Sequence, residues 1–226
     1  MFAGSWNRRH FIAAALAGGY ATARAASPEP AERTVLVVGD SLSAEYGLPR
    51  GTGWVALLEK RLAAQKSAVR VVNASISGDT TSGGRSRLPA LLARHQPAVV
   101  VLELGGNDAL RGLPLEMTRE NLAQMTQAAQ QAGGNVLLVG LQVPPNYGSD
   151  YANRFGELFQ SVARSRKASL VPFMLKGVAD GPDPTAMFQA DRLHPLQEAH
   201  PRILDNIWPE LKKLLPAAAA ATEGHK

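Results

Sequence analysis

Short apolar runs alternate with amphipathic stretches along most of the chain. Thr34-Val35-Leu36-Val37-Val38 is continuous and rich in β-branched residues, the pattern of a central parallel strand covered on both faces. Ala98-Val99-Val100-Val101-Leu102-Glu103-Leu104 repeats that pattern more strongly, and residues 69–73, 135–141 and 169–172 supply three further strands. Between them, residues 54–65 carry Trp54, Val55, Leu57, Leu58 and Leu62 on one helical face. Further helices are expected over 83–94 despite Pro89, over 117–132 up to Gly133-Gly134, over 150–166, and over 198–215 with interruptions near Pro201 and Pro209. Strand and helix alternate throughout, so the fold expected is α/β, a three-layer α/β/α arrangement with a five-stranded parallel sheet and right-handed crossovers. A chain of 226 residues suits one such domain.

The ends of the chain break the pattern. Arg8-Arg9 precedes an apolar stretch from Phe11 to Gly19 and then Ala23-Arg24-Ala25, which reads as an export signal over 1–25, twin-arginine-like and cleaved after Ala25. That stretch is shorter than the roughly 20 residues a bilayer span needs, so no stable membrane anchor is expected. Residues 26–33 form a flexible lead-in, 34–215 the folded domain and 216–226 a disordered tail. The expected location is the periplasm, or beyond it.

Charge and cysteine content then narrow the function. The formal net charge is +5, but Arg8, Arg9 and Arg24 lie in the signal, and the rest holds 21 basic against 19 acidic side chains. A balance of that size points to no nucleic-acid partner. With no cysteine, the chain has no disulfides, thiolate metal sites, cysteine nucleophile or lipoprotein cut.

Each early strand ends in a polar, glycine-rich segment, and parallel strands deliver those ends to one rim. Gly39-Asp40-Ser41-Leu42-Ser43 follows the first, Ser75-Ile76-Ser77-Gly78-Asp79-Thr80-Thr81 the second, and Gly105-Gly106-Asn107-Asp108 the third. Asp191-Arg192-Leu193-His194-Pro195 lies in the loop before the last helix. Alone, Asp40 and Ser41 read equally well as a helix cap. Together the segments offer Ser41 as nucleophile, His194 as base and Asp191 as the group that fixes its tautomer. The amides of Ser41 and Gly78 and the side chain of Asn107 are the expected oxyanion donors.

Asp40, Asp79 and Asp108 beside Asp191 and His194 also permit a metal-dependent phosphoesterase. That alternative leaves Ser41 and Asn107 unexplained, so the aspartates are read as ligands of turn amides and no metal is expected. Arg85, Arg87 and Arg111 are read as solvated, Trp54 and Trp208 as core-facing, and His95 and His200 as having no role in a site. Position 43 is serine, so Ser41 is not in a Gly-x-Ser-x-Gly elbow.

The four blocks, in this order, resemble the GDSL or SGNH hydrolases, named for serine, glycine, asparagine and histidine. Ser41, Gly78, Asn107 and Asp191-x-x-His194 match one block each. Asn73 to Thr80, Leu102 to Asp108 and Pro145-Asn146-Tyr147-Gly148 look like the periplasmic subgroup with acyl-CoA thioesterase, arylesterase and lysophospholipase activity. The resemblance implies a flavodoxin-like sheet, no cofactor, and hydrolysis of small carboxylic ester or thioester substrates, lysophospholipids included, by a monomer. It also implies a mobile loop, here Ala109, Leu110, Arg111, Gly112 and Leu113, that binds acyl chains together with Pro145. Pro144-Pro145 is more rigid than the family pattern. Two further readings stand beside this one: an O-deacetylase of the same family, and a non-catalytic lipid- or glycan-binding protein.

Overall fold

The computed structural model describes residues 33–143 and 145–215. The expected signal over 1–25, most of the lead-in, the tail over 216–226 and Pro144 lie outside the described residues. Five strands, β1 (Arg33–Gly39), β2 (Val69–Asn73), β3 (Val99–Glu103), β4 (Asn135–Val139) and β5 (Ser169–Val171), form one parallel sheet in the order β2-β1-β3-β4-β5. All of β3 is buried, as is β1 after its first residue, which explains their unbroken apolar sequences. The chain reverses direction across the sheet between β1 and β3, so the loops leaving these strands part and open a crevice at the C-terminal rim. In register, Gly39 and Glu103 end the two strands side by side.

Helices α1 (Trp54–Ala64), α2 (Thr81–His95), α3 (Gly106–Leu110), α4 (Leu115–Gln131), α5 (Ser149–Arg166) and α6 (His200–Leu214) complete the domain. α1 packs on α6, while α2, α4 and α5 pack in series. Leu36 and Leu102 from the sheet are buried in one core with Leu58, Leu122, Phe155 and Phe159. Phe155 meets Phe159 edge to face at a centroid distance of 5.4 Å, the favoured arrangement of two rings.

Local chemistry moves several boundaries. α2 starts at Thr81 rather than 83, because Thr80 is its cap and its hydroxyl accepts the Gly83 N–H at 3.3 Å. α4 begins at Leu115 rather than 117, directly after Pro114. The segment after β3 is the short helix α3 and not simply a loop. The last helix is continuous over His200–Leu214, whereas interruptions were expected. Pro201 lies in its first turn, where a missing N–H costs nothing, and Pro209 is accommodated inside it. Among the described residues, no helix is long and apolar enough to cross a membrane.

Candidate active site

Ser41 leaves β1 in a run of turns, and its Oγ lies 2.9 Å from Nε2 of His194, 153 residues away in sequence. On the other side of the imidazole, Nδ1 is 2.6 Å from Oδ2 of Asp191. A proton on Nδ1, held by the carboxylate, leaves Nε2 free to accept the serine hydroxyl. Asp191 Oδ1 accepts the backbone N–H groups of Leu193 at 2.9 Å and His194 at 3.0 Å, so the carboxylate also shapes its own loop. Desolvation pulls the Asp191 carboxyl upward, but the bonds from the His194 ring and these two amides outweigh it and hold the group at about 2. The ring of Tyr46 lies against His194 with centroids 4.3 Å apart.

The oxyanion candidates differ in how they are engaged. Among the described residues, the backbone N–H of Ser41 and that of Gly78 donate to no protein acceptor, so both are available to a developing charge. Gly78 has φ +79°, a conformation that a Cβ would strain; the nearest atom to such a Cβ is 3.8 Å away, so conformation and not space requires the glycine. The Asn107 amide is already spent, donating to Oδ2 of Asp40 at 3.0 Å and to the Asp79 carbonyl at 2.9 Å. An oxyanion would have to share one of those protons.

Beneath the serine lies a buried polar layer that sequence reasoning missed. Glu103 is wholly buried at the end of β3. Its Oε2 accepts the Ser43 hydroxyl at 2.7 Å and the Asp40 N–H at 3.4 Å, while Ser43 Oγ accepts Nε1–H of Trp54 at 3.1 Å. Burial, with the neighbouring Asp40 carboxyl, pushes Glu103 well above the usual carboxylate range. Burial likewise raises Asp40 to about 6, against the opposing bonds from the Leu42 N–H and Asn107. A charged residue inside an otherwise apolar strand sequence was the signal available for Glu103.

Asp79 is a loop ligand, as its turn position implies, whereas Asp108, expected to hold turn amides, lies inside α3 and ties helices together. Asp79 accepts from the Thr80 N–H at 3.0 Å and from Nε of Arg87 at 2.8 Å. Asp108 is buried and accepts the Thr81 N–H at 2.9 Å, the Thr81 hydroxyl, and the Thr118 hydroxyl at 3.2 Å. Arg87 is not merely solvated: besides Asp79 it donates to the carbonyls of Ala74 and Gly39, stitching together the ends of β1 and β2. Arg85 is exposed and donates to Gln124. Trp54 is fully buried, and Trp208 is partly buried with the Arg61 guanidinium 5.3 Å above its ring.

The expected acyl-binding segment divides. Ala109 is buried in the core, and Leu113 is half-buried. Leu110, Arg111 and Gly112 are exposed, and Arg111 reaches across to donate to the Gly78 carbonyl at 2.7 Å. Pro145 opens a 3-10 turn over Pro145–Tyr147 after β4. Asn73, whose amide donates to the Ser43 carbonyl at 2.8 Å, and Glu45, whose carboxylate accepts the N–H groups of Gly51 and Gly53, are further ligands of the serine loop.

The fold and the rim chemistry together define an α/β/α hydrolase of the ester-cleaving class. Residues 37–202 match the GDSL-like lipase/acylhydrolase family, and the chain belongs to it. It is 54% identical over 187 residues to esterase TesA of Pseudomonas aeruginosa, a match covering 83% of this chain and 92% of that protein. It is 40% identical over 182 residues to thioesterase 1/protease 1/lysophospholipase L1 of Escherichia coli K12, covering 80% and 85% respectively. Among solved structures, the psychrotrophic esterase EstA from Pseudoalteromonas sp., inhibited by monoethylphosphonate, superposes with a TM-score of 0.75 at 38% identity, covering 80% of this chain and 97% of that one. The chain is a carboxylic ester hydrolase.

Proposed function

We propose that hydrolysis runs through an acyl-enzyme on Ser41, with His194 as base and Asp191 as the group that orients it. The observation that carries this reading is the unbroken series from Ser41 Oγ to His194 Nε2 at 2.9 Å and from His194 Nδ1 to Asp191 Oδ2 at 2.6 Å. His194 takes the hydroxyl proton as Oγ attacks the substrate carbonyl carbon, and the imidazolium is stabilised by Asp191. The amides of Ser41 and Gly78 hold the oxyanion, joined by Asn107. The imidazolium protonates the departing alcohol or thiol, and water activated by His194 then releases the acid.

The substrate class that fits is an acyl ester or thioester, lysophospholipids included, with an acyl chain longer than acetyl. Tyr46, Ile76, Leu110, Tyr147, Leu193 and Leu196 are the large exposed apolar side chains among the described residues. Leu110 ends α3, Tyr147 ends the 3-10 turn and the other four stand on loops; all six lie in segments that leave the C-terminal ends of the strands, on the side that carries Ser41, where an acyl chain would cover them. The names of the two curated relatives, an esterase and a thioesterase/lysophospholipase, agree with that range. We further propose export to the periplasm by the twin-arginine-like segment over 1–25, acting as a monomer.

A fluorophosphonate probe is expected to label Ser41 stoichiometrically in the wild type and to leave folded Ser41→Ala unlabelled. Across p-nitrophenyl esters from acetyl to palmitoyl, kcat/KM is expected to peak at medium or long chains. Labelling of Ser41→Ala would refute the nucleophile, and a sharp preference for acetyl would favour an O-deacetylase.

A further inference from the structure

Ser41 and His194 meet across two loops that no regular element joins, the turns after β1 and the segment between β5 and α6. We propose that Gln189 is the positioning residue that sets their distance, acting as a two-sided bracket; this rests on the Ser41–His194 reading above. On the histidine side, the Gln189 N–H donates to the His194 carbonyl at 2.7 Å, and its side-chain amide donates to the Pro195 carbonyl at 3.1 Å. On the serine side, the other amide proton goes to the Tyr46 carbonyl at 3.0 Å, across 143 residues of sequence. The Tyr46 N–H in turn points back at the Ser41 carbonyl at 3.5 Å, and the Tyr46 ring lies on the imidazole.

The geometry is specific to an amide. Both acceptors on the bracket are backbone carbonyls, so the bridging group must supply two protons and no negative charge. The opposite edge of the side chain is fitted as closely. A Cβ placed on Gly47 would lie 2.2 Å from Oε1 of Gln189, and Gly47 itself has φ +70°. A side chain at position 47 would therefore displace the Gln189 carboxamide from this pose. Apart from the Ser41–His194 contact itself, the Tyr46 bond is the hydrogen bond between these two loops among the described residues. Its loss leaves the reacting pair to find its own distance, and misplacement by about 1 Å costs on the order of 100-fold in rate.

The test is steady-state kinetics on one ester with three variants, alongside thermal melts. Gln189→Ala is expected to lower kcat by ~10- to 100-fold with KM changed less than about threefold. Gln189→Glu keeps the shape but aims a carboxylate at two carbonyls, so its kcat should fall at least as far. A wild-type kcat in folded Gln189→Glu would mean that Gln189 only fills space, and would overturn the proposal. Ser41→Ala separates the two levels: activity surviving there refutes the nucleophile itself, while a dead Ser41→Ala with a fully active Gln189→Ala refutes only the bracket.

Discussion

At the scale of single residues, the site depends on which nitrogen of one imidazole carries the proton. Asp191 at about 2 is ionised at any ordinary assay pH, so it accepts from Nδ1 and keeps Nε2 as the acceptor for Ser41. In Asp191→Asn, the amide oxygen can still take the Leu193 and His194 N–H groups, preserving the loop. Its NH2 then faces Nδ1, which must become the acceptor, and the proton moves to Nε2, where it blocks the serine. Turnover is expected to fall on the order of 100-fold or more while the fold is kept. Stopped assays at several pH values, beside circular dichroism, check this; full activity in the folded variant would mean that Ser41 and His194 work without Asp191. The Asn107 amide shows a different economy, since both its protons are already bound to Asp40 and the Asp79 carbonyl. It is a positioned donor whose existing partners hold it in place until an oxyanion competes for it.

Among the elements, the rim is built by ties between loops rather than by the strands. A second kind of tie joins helices: one buried carboxyl, Asp108 on α3, receives the first N–H and the hydroxyl of Thr81 at the start of α2 and the hydroxyl of Thr118 on α4. Asn121 extends the knot by donating to Thr81 Oγ1 at 3.0 Å. Asp108→Ala strands a buried N–H and two hydroxyls, and should cost about 2–4 kcal/mol in urea unfolding. A loss below about 1 kcal/mol would show that the knot is not a stabilising element. These ties explain what could be read from sequence and what could not. Strands β1 and β3 were legible because complete burial writes an unbroken apolar run. Asp191-x-x-His194 was legible because its geometry is local. Glu103, Arg87 and Gln189 were not, because each acts through partners far along the chain, and a lone charged or amide residue has no periodicity. Helix α3 was missed because five residues beginning Gly-Asn-Asp carry loop composition, and the helix is held by its knot to α2 and α4.

For the whole molecule, acid stability rests on groups buried between layers. His200 is buried at the start of α6, where its Nδ1 accepts the Trp54 N–H at 3.0 Å and joins α6 to α1, while Nε2 has no partner among the described residues. Burial therefore lowers its pKa from 6.5 to about 4, despite the opposing pull of Glu45. The unfolded chain takes up this proton from pH 6.5 downward and the folded one resists until about 4, so His200 removes stability as the pH falls through that window. Asp40 works in the opposite sense. Its folded value of about 6 lies above the ordinary 3.8, so the native state holds the extra proton and stability is lost as the pH rises between those values. The two contributions have opposite signs and overlapping windows, so neither is read from the wild-type profile alone. His200→Asn separates them, because its amide oxygen can still accept the Trp54 N–H without titrating. The stability advantage of wild type over His200→Asn should be largest above pH 6.5 and shrink by at most ~3 kcal/mol toward pH 4. Chemical denaturation of both proteins at half-unit pH steps measures this difference, and a difference independent of pH would show that His200 titrates in the folded protein as it does in the unfolded chain.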